Sequence, residues 1–278
     1  MPTLQRITAR NARFQQWASL IGNRNKRSRA GEFLVQGVRP ISLAVQFDWP
    51  IRALIYDGEP PLSQWAKELL RRVDAEHIAM APDLLADLGE KSGSTPEMVA
   101  VVGMPADDLS RFGGEGSFLG VMFDRPTSPG NIGSIIRSAD AFGAHGLIVS
   151  GHAADVYDPK SVRASTGSLF AVPAVRVSSP GTVMPWVDAR RAAGEPIVLV
   201  GTDEKGDCDV FDFDFTQPVL LLVGNETSGL SNAWRALCDH TVRIPMTGAA
   251  SSLNAANAAT TVLYEAHRQR IAAARRRS

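Results

Sequence analysis

The chain has 278 residues, 44% hydrophobic and 21% charged, with 29 basic residues against 29 acidic ones. That composition suits a globular protein of one large or two smaller domains, and no apolar run approaches the length of a membrane span. Two cysteines, Cys208 and Cys238, and five scattered histidines offer neither a disulfide framework nor metal-ligand spacing, so a metal-free protein of the reducing cytoplasm is expected.

Met1 to Phe14 alternates polar and basic residues and lacks the apolar core of a signal peptide. The net charge of zero hides an asymmetry. Seven basic residues and no acid precede Glu32, and five basic residues and no acid follow Glu265. The remaining 17 basic residues stand against all 29 acids, net −12. Basic ends on an acidic body point to a localised polyanion contact.

Residues 4 to 21 read as an amphipathic basic helix with Ile7, Phe14, Trp17 and either Leu20 or Ile21 on its apolar stripe. A polar basic turn, residues 22 to 31, follows without a core-forming residue. Glu32 to Val35 reads as a strand, Gly37 to Gln46 as a helix, Ile51 to Tyr56 as a strand and Gln64 to Arg72 as a helix. His77 to Met80, Pro82 to Leu88 and Val99 to Val102 continue as strand, helix and strand. The first 105 residues thus form a small α/β sandwich. Residues 106 to 117, within a stretch rich in Gly and acids, have a linker composition.

From residue 118 on, the pattern alternates strand and helix. Strands are expected at Phe118 to Phe123, Gly146 to Ser150, Val172 to Val177, Ile197 to Gly201 and Val219 to Val223, with another short one ending at Pro245. Helices are expected at Asn131 to Phe142, closed by Gly143, at Val183 to Ala192, and along an Ala-rich stretch opening near Ser252. Repeated βα units predict a mainly parallel sheet with helices on both faces. Ligands bind such sheets at the polar loops after the strands, and a helix opening near Ser252 would point its N–H groups into that region.

Three of those loops carry candidate chemistry. In residues 129 to 143, Ile132, Ile135, Ile136 and Ala139 share a core face, while Asn131, Ser134 and Arg137 share another side. Arg137 suits either a phosphate, through its planar fork, or a surface salt bridge. The turn Gly224-Asn-Glu-Thr-Ser-Gly229 has P-loop glycine spacing, but Leu230 and Ser231 replace the required Lys-Ser/Thr, and no G-x-G-x-x-G opens a helix, so nucleotide-phosphate readings are weak. The third loop is Ile244-Pro-Met246 followed by Ser251-Ser-Leu-Asn254.

Asn-Ile-Gly-x-Ile-x-Arg, then Val-Gly-Asn-Glu-x-x-Gly-Leu, then Ile-Pro-Met with Ser-Ser-Leu-Asn resemble, in that order, the three motifs of the SpoU (TrmH-like) branch of the SPOUT RNA methyltransferases. The resemblance covers roughly residues 118 to 270, and the first hundred residues resemble the ribosomal-protein-like RNA-binding domain of many members.

The resemblance implies a catalytic domain with a deep trefoil knot at its C-terminal end, and a homodimer as working unit. Ala255, Ala256, Ala258 and Ala259 would permit close helix approach in that dimer, or serve ordinary helix propensity. S-adenosylmethionine would bind between Thr202, Gly224, Asn225, Glu226, Ile244, Met246, Ser252, Leu253 and Asn254. Asn131, Arg137, Glu226 and Asn254 would serve catalysis, with Glu226 and Asn131 positioning Arg137 and the substrate.

The implied reaction is 2′-O-methylation of a ribose in ribosomal RNA, 23S rather than transfer RNA because of the N-terminal domain, with resistance to a ribosome-targeting antibiotic as its consequence. A non-catalytic RNA-binding protein on the same scaffold is the rival reading. Arg24, Lys26, Arg27 and Arg29 of the basic turn, with Arg163, are the expected RNA contacts. No membrane partner is expected.

Overall fold

The structure is a computed structural model and describes residues 4–59, 61–89, 95–113 and 117–277; residues 114–116 of the expected linker and the side chain of Arg277 fall outside these. The chain divides into two units. The first comprises Met1–Ala106 with Tyr157–Ala171, and the second Asp107–Val156 with Val172–Ser278. Residues 157–171, which the sequence pattern assigns to the second half, therefore cluster with the first.

The first unit runs β1 (Leu4–Ile7), α1 (Ala12–Gly22), α2 (Arg24–Ala30), β2 (Glu32–Gln36), α3 (Val38–Gln46), β3 (Ile51–Asp57), α4 (Gln64–Arg72), β4 (Glu76–Met80), α5 (Pro82–Leu88) and β5 (Met98–Gly103). Its sheet has the order β1-β4-β3-β5-β2, with β5 antiparallel to both neighbours. Two expectations fail here. Leu4–Ile7 is not helical but pairs in parallel with β4, Ile7 opposite Met80. The helix starts only at Ala12, where Asn11 caps it by accepting from Phe14 N at 2.9 Å. Phe14, Trp17 and Leu20 are buried as its stripe requires, and Ile7 joins the same core from the strand.

The basic turn is also a helix. Asn23 caps α2 by accepting from Lys26 N at 3.1 Å, and Gly31 ends it in the left-handed region at φ 65°, which glycine enters without a side-chain penalty. Arg27 is only 2% exposed. Its guanidinium donates to the carbonyls of Leu20 (2.6 Å) and Ile21 (3.0 Å) and lies 3.6 Å from the Asp158 carboxylate. It neutralises the carbonyl end of α1, so Arg27 is withdrawn as an RNA contact. Arg24, Lys26 and Arg29 are exposed.

The second unit runs β6 (Leu119–Asp124), α6 (Pro129–Ala141) and β7 (Gly146–Ser150). The chain then passes through two short helices of the first unit, α7 (Pro159–Ser165) and α8 (Ser168–Ala171). It returns as β8 (Ala174–Val177), α9 (Pro180–Ala192), β9 (Val198–Thr202), β10 (Cys208–Asp209), β11 (Val219–Val223), α10 (Asn232–Arg235), β12 (His240–Arg243) and α11 (Ala255–Arg277). Seven strands in the order β10-β12-β9-β11-β6-β7-β8 form one sheet, and every pair in it is parallel. Fully buried runs such as Leu220-Leu-Leu222 in β11 are what a parallel sheet covered on both faces requires.

The chain builds β6, β7 and β8 outward in one direction. It then crosses to lay β9 on the far side of the position β11 will fill. Such a reversal opens a crevice at the carboxyl ends of the strands, here β6, β11 and β9. The acidic loop after β9 holds β10, which the pattern misses because only two residues pair. Asp207 accepts from Thr241 N and Oγ1, and Asp209 meets Arg243 at 2.5 Å.

Helix α11 packs on α6, joined to it by a 2.7 Å hydrogen bond between the Ser138 and Thr260 hydroxyls, and its Ala255, Ala256 and Ala259 are buried within this chain. Arg270, one of the basic residues near the C-terminal end, donates to the carbonyls of Phe215, Ser117, Phe118 and Gln217 at 2.5–2.9 Å. Burial lowers its pKa; it is a structural clamp rather than a free basic contact. Among the described residues no helix is long and apolar enough to cross a membrane.

Candidate active site

The crevice holds a cavity of about 450 Å³, within the ~300–1,000 Å³ range of small-molecule sites. Thr202, Gly224, Asn225, Glu226, Ile244, Met246, Ser252 and Leu253 all line it; Asn254 and Arg137 do not.

The Gly224–Gly229 loop is closed by paired backbone bonds, Asn225 N to Gly229 O and Gly229 N to Asn225 O, each 3.0 Å. A Cβ on Gly224 would stand 2.3 Å from the Gly229 carbonyl carbon, so only glycine fits. The Asn225 side chain holds the loop's shape. Its oxygen accepts from Thr227 N (2.9 Å) and Ser228 N (3.1 Å), and its amide donates to Arg125 O at 2.6 Å.

Glu226 ties this loop to the start of α6. Its carboxylate accepts from Thr127 N and Oγ1 (both 3.1 Å), Ser128 N (3.3 Å) and Asn131 Nδ2 (2.9 Å). Partial burial pushes its pKa up, but the hydrogen bonds from Asn131 and Thr127 outweigh that and hold it below the usual value. An ionised carboxylate with four donors is a poor proton acceptor. Asn131 passes the chain onward, its oxygen accepting from Asn254 Nδ2 at 3.2 Å. Asn254 in turn accepts from Ala256 N at 2.9 Å and Asn257 N at 3.4 Å. The N-cap of α11 is therefore Asn254, directly before the first helical residue, because its side-chain oxygen accepts from the N–H groups of the first turn.

Arg137 stands apart from this chain. It is exposed on α6, six residues and about 9 Å of helix rise beyond Asn131. Among the described residues it makes no hydrogen bond or ion pair, so within this chain neither Asn131 nor Glu226 is bonded to it. Thr202 donates its hydroxyl to Leu222 O at 3.2 Å, fastening β9 to β11. Arg163 belongs to the first unit, not to this cavity.

The sequence reading misses Asp124, Arg125 and Asp203. Asp124 is buried and accepts from Ser231 N at 2.7 Å and Arg125 Nε at 3.1 Å. Arg125 adopts φ 48° and reaches Gly229 O at 3.2 Å, so a left-handed non-glycine residue clasps both ends of the Gly224–Gly229 loop. Asp203 lines the cavity and pairs with Arg235 at 2.6 Å. A strand ending in Asp-Arg-Pro is the only local signal for the first two, and their partners lie about a hundred residues away. With Asp203, Glu204 and Glu226 against Arg235, the cavity wall is acidic and suits a cationic ligand. Among the described residues, no His, Cys, Asp and Glu side chains group as a metal site.

Parallel sheet, crevice loops and motif order converge on one class, and family comparison agrees: the SpoU rRNA Methylase family matches residues 119–264, and the SpoU L30e-like domain matches residues 11–100. The chain belongs to the SpoU rRNA methylase family. It is 77% identical over 270 residues to the 23S rRNA (uridine(2479)-2′-O)-methyltransferase of Streptomyces viridochromogenes, covering 97% of this chain and 94% of that protein. The crystal structure of the SpoU methyltransferase AviRb from that organism, in complex with the cofactor AdoMet, matches with TM-score 0.91 at 78% identity, covering 94% of this chain and 99% of that one. An AdoMet-bound rRNA methyltransferase of Sinorhizobium meliloti matches with TM-score 0.83 at 29% identity, covering 95% and 98%.

S-adenosylmethionine (AdoMet) is the cofactor of SpoU methyltransferases. The residues here fit it. The volume suits a small molecule, Ile244, Met246 and Leu253 offer it apolar surface, and the acidic wall complements a sulfonium charge.

Proposed function

We propose that this protein transfers a methyl group from S-adenosylmethionine to a ribose 2′-hydroxyl of 23S ribosomal RNA. The observation that carries this reading is the Glu226–Asn131–Asn254 hydrogen-bond chain fastening two walls of an acidic, glycine-floored cavity. It occurs in a chain similar along nearly its whole length to a 23S rRNA 2′-O-methyltransferase.

When bound, the cofactor supplies an electrophilic methyl group on a positively charged sulfur, for in-line transfer to oxygen. Gly224 lets the loop close tightly on Gly229 beside the cavity, and Ile244, Met246 and Leu253 supply apolar wall that excludes water. Glu226, Asn131 and Asn254 orient the walls. Arg137 holds the phosphate beside the target ribose and stabilises the 2′-oxygen as the O–CH3 bond forms, the S–CH3 bond breaks and the hydroxyl proton passes to solvent. A guanidinium carries donors and no acceptor, which makes Arg137 a stabiliser rather than a base.

Because Arg137 is exposed, unpartnered among the described residues and absent from its own cavity wall, the reading assigns it to the cavity of a second copy. The working unit is then a homodimer. The reading also keeps a trefoil knot in the catalytic domain and a cytoplasmic location. It divides the chain into an RNA-binding domain (1–105), a linker (106–117) and a catalytic domain (118–278). Arg24, Lys26, Arg29 and Arg163 remain as its RNA contacts.

Mass-spectrometric mapping of ribose methylation tests it, with the full chain, S-adenosylmethionine and unmodified 23S, 16S or transfer RNA. One new 2′-O-methyl nucleotide in 23S RNA is expected. A methyl only in transfer RNA would overturn the substrate. Cofactor-independent RNA binding with no methyl on any RNA would favour the non-catalytic reading.

A further inference from the structure

The first unit holds a cavity of its own, about 480 Å³, bounded by the start of α3, by α4, by the start of β5 and by α7. Its floor and its rim differ in chemistry. Trp65 and Pro96 supply apolar surface, and Val38 lies 55% exposed at the opening. The Trp65 indole N–H donates to Ser42 Oγ at 2.9 Å, which fixes the ring. Arg39 and Arg163 lie on the wall, both exposed. Among the described residues Arg39 makes no hydrogen bond or ion pair. The one carboxylate in the wall, Glu97, is engaged: it accepts from Ser63 N at 2.6 Å and from Ser63 Oγ at 3.0 Å.

A fixed aromatic ring with an apolar lip and two guanidinium groups is the chemistry that receives an unstacked nucleotide. The base finds a π-face and the phosphate finds cations. A double helix would need a broad basic surface instead of a concave one. We propose that this cavity takes one unpaired nucleotide of the RNA substrate, with its base against Trp65 and Val38 and its phosphate between Arg39 and Arg163. The inference rests on the RNA-methyltransferase reading and names where, within the first unit, that RNA is gripped.

The test measures equilibrium binding of an unmodified 23S rRNA transcript to the full-length protein across a salt series, beside cofactor affinity. The variants are Arg39→Ala, Val38→Glu and, as a control for general charge, Arg72→Ala on the exposed end of α4. Val38→Glu places an acid in the first turn of α3, where it favours the helix while repelling a phosphate, so a loss of RNA binding would not come from unfolding. Arg39→Ala and Val38→Glu should each weaken RNA binding on the order of tenfold. Arg39→Ala should also lower the salt slope by about one. Arg72→Ala should change binding less than about twofold, and cofactor affinity should hold in all three. If wild type binds and methylates the RNA but Arg39→Ala and Val38→Glu behave like Arg72→Ala, the cavity proposal is overturned and the function stands. If wild type binds no RNA, both fall.

Discussion

Two of the loops that wall the cofactor cavity, after β11 and after β12, are built in different ways. The loop after β11 lines the cavity and is laced to the loop after β6, which stands behind it. Arg125 joins Asp124 to Gly229, Asn225 holds Arg125 O, and Glu226 takes four donors from Thr127, Ser128 and Asn131. Residues 244–253 are different. They make no hydrogen bond among the described residues, and Met246 and Leu253 lie 39% and 40% exposed despite facing the cavity. The Gly224–Gly229 wall is therefore preorganised, and residues 244–253 present apolar surface that a ligand entering the cavity would cover. Preorganised polar walls fix orientation without reorganisation at the moment of reaction. An apolar wall gains burial when the ligand enters.

The contrast can be broken from its rigid side first. Gly224→Ala forces a Cβ to within 2.3 Å of the Gly229 carbonyl carbon. It should destabilise the fold by about 3 kcal/mol and abolish cofactor binding, read by thermal unfolding and calorimetry. Glu226→Gln leaves backbone donors facing an amide and should cost about 2 kcal/mol. The folded-state pKa of Glu226 is lowered, so its stabilisation is complete above the ordinary carboxylate value of 4.5 and is lost as pH falls through the depressed one. The stability gap between wild type and Glu226→Gln should stay constant from neutral pH down to about 4.5 and narrow below it. Asn254→Ala should cost about 1 kcal/mol, the worth of an N-cap, while Ser252→Ala on the unbonded loop should cost under about 0.5 kcal/mol. Equal losses at the two positions would contradict the assignment of the cap. On the other side, S-adenosylmethionine should slow amide exchange in 244–253 more than in 224–229.

Much of the scaffold is legible in the sequence because local periodicity and packing agree. Ile132, Ile135, Ile136 and Ala139 repeat at helical spacing and are all fully buried, and the Leu220-Leu-Leu222 run marks a strand covered on both faces. The failures have physical causes. Ile7 and Phe14 lie two helical turns apart and both reach the core, so a strand-loop-helix there imitates one helix. Helix α2 has no apolar face to detect, and only its Asn23 and Gly31 ends announce it. Arg27 and Arg270 read as surface charge because their carbonyl partners are supplied by tertiary folding. Arg125 is invisible for the same reason. For the site, order and spacing of the motifs bring Glu226, Asn131 and Asn254 together, but nothing in one chain's sequence says that Arg137 makes no bond to them.

That separation is the centre of the account: one copy's cavity, another copy's Arg137. The most direct test co-expresses two differently tagged chains, Arg137→Ala with an intact cavity and Gly224→Ala with an intact Arg137, and isolates the mixed species. Each variant alone should transfer no methyl to 23S RNA, and the mixed species should recover about half of wild-type activity through its one complete site. No recovery in a mixed species that still binds S-adenosylmethionine would contradict the account and place Arg137 at work on its own chain's cavity.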